Sequence, residues 1–135
     1  MKTNQEMVDQ VLCDFYGDVY RYGVSRVLKC LGSGKSWLGG DEISVTFQDA
    51  WGEWEPGYAM SKPGYFLMVA PWVPDATGNT PSYYLVSYQE FYDKFDADLE
   101  RYYYPEHPEQ RDEIVGLMKE LRHSLGLDTA RPSSP

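Results

Sequence analysis

The sequence predicts an α+β fold of order ααβββαα, a small antiparallel sheet of three strands or more packed with about four helices. Three observations lead there. Apolar residues recur at helical spacing towards both ends of the chain and at a period of two in its middle, so helices and strands are segregated. That segregation argues against a doubly wound parallel sheet. The length of 135 residues is that of one domain, placed at 1–127 with a frayed tail at 128–135, and 42% hydrophobic residues can fill a core without disulfides or a structural metal.

Taken in order, Thr3-x-x-Glu6 is a capping box before the stripe Met7, Val8, Val11, Leu12 and Phe15, a helix expected to end near Gly17. The next stripe is Tyr20, Val24, Val27, Leu28 and Leu31, closed by Gly32 and weakened at its start by Gly23. With few residues between them, these helices are expected to form an antiparallel pair. Ile43, Val45 and Phe47 then alternate with Ser44, Thr46 and Gln48, the pattern of a strand with one buried face. The apolar run 65–70, stopped by Pro71, reads as a more central strand, and 83–87 as a third. Between them, 71–81 holds three prolines and a Gly-Asn turn signal and is expected to be a surface loop.

Ser87-x-x-Glu90 is a second capping box, opening a helix whose inward side is Tyr88, Phe91, Tyr92, Phe95, Leu99, Tyr102 and Tyr103 and which Pro105 ends. His107-Pro108-Glu109 starts the last helix, with His107 as its cap. The stripe of this helix is Ile114, Val115, Met118, Leu121 and Leu125, up to Gly126.

Twenty-one acids against twelve bases leave a net charge of −9, which disfavours binding to phosphate backbones and anionic lipid. No apolar run approaches the roughly 20 residues of a membrane span. The N-terminus lacks a basic segment with an apolar core, so no secretory signal is expected and the cytoplasm is the expected location. Cys13 and Cys30 then read as buried, reduced thiols.

Chemical motifs fail on spacing. Gly32-Ser33-Gly34-Lys35-Ser36 ends like a phosphate-binding loop, but Lys29 stands where that motif needs glycine, and the segment follows a helix instead of a strand. His107 and His123 lie near opposite ends of one helix and cannot share a zinc ion, and the Cys-x-x-Cys that would partner His107-Pro108-Glu109 in a zinc deaminase is missing. No nucleophile elbow is present. No catalytic residue, metal or cofactor is therefore expected, although carboxylates are numerous enough for a small hydrolase using a carboxylate pair to stand as an alternative.

The informative stretch is 41–56. It holds Asp41, Glu42, Asp49, Glu53 and Glu55 with Trp51 and Trp54, and no base follows until Lys62. Acids steer a basic partner and aromatic rings anchor it, so these seven residues are the candidate partner-binding set. If both rings instead packed on the helices, the acids would serve solubility alone. A second acidic cluster, Glu90, Asp93, Asp96, Asp98 and Glu100, reads as a solvated helix face broken only by Lys94.

The run Lys35-Ser36-Trp37-Leu38-Gly39-Gly40-Asp41-Glu42-Ile43-Ser44-Val45-Thr46-Phe47-Gln48-Asp49-Ala50-Trp51, the helix start Val86-Ser87-Tyr88-Gln89-Glu90-Phe91-Tyr92, and the helix after His107-Pro108 together resemble a known family. That family is the immunity proteins of bacterial contact-dependent growth inhibition, the CdiI type. The resemblance spans about residues 18–125 and departs from the pattern at 71–81 and in the Pro/Ser tail. It implies a small non-enzymatic cytoplasmic protein that binds a cognate toxin domain and stops it from cutting RNA; a monomer or weak homodimer is the expected assembly. A general acidic mimic of nucleic acid, binding many basic proteins, is the other alternative.

Overall fold

Helix α1 spans Asn4–Tyr22 in a computed structural model that describes residues 4–38, 43–70 and 82–127. Thr3 of the first capping box, residues 39–42 with Asp41 and Glu42, the loop 71–81 and the tail 128–135 lie outside the described residues. The expected end near Gly17 is not observed, because the stripe of Val8, Val11, Leu12 and Phe15 continues through Tyr16 to Val19, all buried. One glycine inside a helix costs only about 1 kcal/mol, which that burial outweighs.

The break falls at Gly23, whose φ of 107° lies in the region that L side chains avoid. Helix α2, Val24–Gly32, starts at once beyond it. A single residue is too short for a helical hairpin. The expected antiparallel pair is thus replaced by a packing of α2 chiefly against the last helix, α5 (Arg111–Ser124), whose Leu121 backbone lies close beneath Gly32.

The sheet has the order β1-β2-β3, all antiparallel, from β1 (Ser44–Thr46), β2 (Tyr65–Ala70) and β3 (Ser82–Ser87). Its central strand is the one expected. Ser44 stands opposite Val69 and Val69 opposite Tyr83, while Val45, Met68 and Tyr84 share the next row. Trp37 extends that row by a two-bond bridge to Val45 at 2.9 and 3.0 Å, closing part of the outer edge of β1.

Phe66 and Val86 join Val45 and Met68 on the face that meets the helices. Against this face α1 and α4 (Tyr88–Asp98) set an aromatic seam, with Phe66 to Phe91 at 4.7 Å and Tyr16 stacked on Phe95 at 4.9 Å between ring centres. Tilted and stacked rings at these separations add to what burial alone supplies.

The fold is α+β as predicted, with five helices among the described residues and the order ααβαββαα. The additional helix is α3, Pro56–Met60, preceded by one 3₁₀ turn at Gln48–Ala50. Helix α4 begins on Ser87, whose Oγ accepts from the Glu90 N–H at 3.0 Å. It then widens into a π turn over Leu99–Tyr103, closed by the Tyr104 N–H donating to Leu99 at 2.9 Å. The wider turn inserts an extra residue, so Tyr103 and Tyr104 are buried and Tyr102, expected inside, is 57% exposed.

His107 makes no capping bond; its ring stacks on Tyr103 at 4.3 Å. Neither cysteine is buried as expected, since Cys13 is exposed and Cys30 half-buried, and both are free thiols. Partial desolvation still raises both above the ordinary thiol value, so neither is a ready nucleophile. No described helix is long and apolar enough to cross a membrane.

Candidate partner-binding loop

Residues 48–60 fold back over the face of the sheet turned away from the helices. The expected alternation makes Thr46 solvent-facing, yet it is 1% exposed. Its hydroxyl donates to the Leu67 carbonyl at 2.7 Å and accepts from the Trp51 indole N–H at 3.1 Å. Trp51 also meets Tyr83 edge-on at 6.4 Å. Its ring lies so close over Gly57 that a Cβ there would stand 2.2 Å from it. Trp51 is thus a half-buried roof of the sheet that packs on Gly57 of the short helix α3.

The segment is pinned at its ends by short polar bonds. Gln48 donates from its side chain to the Tyr58 carbonyl at 3.0 Å, and the Phe47 N–H donates to Ser36 Oγ at 2.8 Å. Within it the Glu55 carboxylate accepts from the Gly52 N–H at 2.6 Å, holding a tight turn over 52–55. That turn carries Trp54, which is 95% exposed.

Asp49, Glu53 and Glu55 are exposed and make no ion pair with any described residue. The field of Asp49 reaches the phenol of Tyr88, which is raised first by burial and then by that carboxylate. Of the seven expected partner-binding residues, the structure therefore places Asp49, Trp51, Glu53, Trp54 and Glu55 on one excursion. It separates the two rings: Trp51 is committed to the sheet, and Trp54 projects. Asp41 and Glu42 are among the residues not described.

The second acidic cluster behaves differently and is no mere solvated face. Lys94 bonds both Asp9 of α1 and Glu90, the latter at 2.7 Å. Asp98 accepts from the Tyr20 hydroxyl, and Glu100 takes both arms of the Arg111 fork at 3.1 and 3.2 Å. The hydrogen bond from Lys94, seconded by Gln5, holds Asp9 below the usual carboxylate value. On that side Lys94 and Arg111 pair with Asp9, Glu90 and Glu100, whereas the carboxylates of residues 49–55 have no such counter-charge among the described residues.

Sequence reasoning missed Leu38, which is 62% exposed beside this loop. A signal existed. If Trp37 is read as a strand position paired inward with Val45, its neighbour Leu38 must turn to the opposite face. Comparison with protein-family models, curated proteins and solved structures finds no match for the chain.

Proposed function

We propose that the protein acts in the cytoplasm as an immunity protein, binding a basic, RNA-cleaving toxin domain through the 48–60 excursion and blocking it without turnover of its own. The observation that carries this reading is Trp54, 95% exposed between two carboxylates that have no counter-charge among the described residues. A bare indole in water gains from burial against a partner, and Trp is enriched among residues that dominate binding energy. Glu53 and Glu55, without an ion pair among the described residues, raise the encounter rate with a cation and fix its orientation. The resemblance of residues 35–51, 86–92 and the last helix to the CdiI type suggests the class of partner.

The gene immediately upstream is expected to end in a toxin domain, and the test is co-expression and titration with that domain. That domain is expected to be lethal alone and harmless with this protein. Trp54→Ala should weaken binding measured by calorimetry by at least about 2 kcal/mol. Reversing both Glu53 and Glu55 should slow association and flatten its dependence on salt. Unchanged affinity and salt dependence in both variants would remove the loop from the interface.

A further inference from the structure

We propose that the roofed face of the sheet holds a receptor pocket for one arginine side chain of the protein partner. The proposal rests on reading 48–60 as a protein-binding loop and names the group that this loop admits. A cavity of about 240 Å3 opens beside Trp51. That volume lies below the roughly 300–1,000 Å3 of sites for drug-sized ligands and suits a single side chain.

The walls fit an arginine by parts. Leu38, Ala50 and Val69 form an apolar sleeve, which matches the three methylenes of the arginine stem. The Trp51 indole supplies an aromatic wall against which a guanidinium can lie, and Ser44 and Thr46 also line the space, the Thr46 hydroxyl already engaged with Leu67 and Trp51. Glu55 stands at the rim. Its carboxylate is already oriented by the Gly52 N–H at 2.6 Å, so little freedom is lost when it receives a cation.

Charge decides the occupant. No basic residue occurs between Lys35 and Lys62, and Asp49 and Glu53 add their fields to that of Glu55. An anionic or a purely apolar side chain would leave that carboxylate uncompensated. Arginine suits the site better than lysine because a planar fork can stack and bond a carboxylate together, whereas an ammonium prefers its water. Trp54, on the turn beside Glu55, would then cover the partner's surface around the inserted chain.

The test uses the full chain, labelled with nitrogen-15, titrated with acetyl-Gly-Arg-Gly-amide and with its citrulline counterpart, which keeps the shape and loses the charge. The arginine peptide should shift the Trp51 indole N–H and the Leu38 and Val69 amides saturably, and the citrulline peptide should bind at least about tenfold more weakly. Glu55→Gln keeps an acceptor for Gly52 and should abolish the difference between the peptides. Ala50→Leu enlarges an exposed side chain at the cavity wall and should remove binding, while an undisturbed spectrum for the helices reports an intact fold.

Equal binding of the two peptides, or shifts that persist in Ala50→Leu, would overturn the pocket. If Trp54→Ala weakens the upstream-encoded domain and Ala50→Leu does not, the arginine assignment is wrong and the binding loop stands. If the peptide titration succeeds while neither substitution weakens that domain, the arginine pocket stands and the placement of the toxin on the 48–60 loop falls.

Discussion

Gly57 shows how a single missing methyl group sets the candidate site. The Trp51 ring occupies the space that a Cβ would need, at 2.2 Å, and the ring is itself held by its bond to Thr46. Neither can retreat cheaply. Gly57→Ala should therefore destabilise the fold by about 1–3 kcal/mol, read as a lower urea midpoint, with a changed Trp51 indole resonance as its local sign. The sequence marks Trp51 and Trp54 alike, as aromatic residues in an acidic run, and their separation into roof and probe could not be read there. It arises because Thr46, a polar residue at a position that alternation turns outward, needs a donor and a cover, and the chain supplies both from five residues further on.

At the level of elements, the strands were the most legible part and the helix ends the least. The run 65–70 is bounded by turn residues and cannot be a helix, so β2 matches its expected limits. Gly17 and Gly23 look equivalent in a string of letters, but only Gly23 adopts a positive φ, at 107°, and tertiary packing decides which one breaks the helix. The same substitution should then have opposite effects. Gly17→Ala, with open space at the new Cβ, should raise stability by about 0.5–1 kcal/mol, and Gly23→Ala should lower it by about 1–2 kcal/mol, both measurable by thermal unfolding. Tyr102 was misplaced for a related reason. The π turn adds a residue to the period after Leu99, and no local composition signals it.

Across the whole molecule, net charge says less than its distribution. The −9 was plain from composition, but the pairing of Lys94 with α1 and of Arg111 with Glu100 joins residues 85 and 11 positions apart and is invisible to any local pattern. Those contacts offset part of the charge of one acidic cluster, and no described base does the same for residues 49–55. The position of Trp54 between two carboxylates with no described ion-pair partner makes that asymmetry optically readable. Its fluorescence in the isolated protein should be extinguished more readily by caesium than by iodide, because the local potential concentrates the cation and repels the anion. Buried Trp37, only 6% exposed, should ignore both ions. Once a cationic protein seats on the loop, the preference for caesium should vanish, so the molecule carries its own lamp for reporting when that surface is occupied.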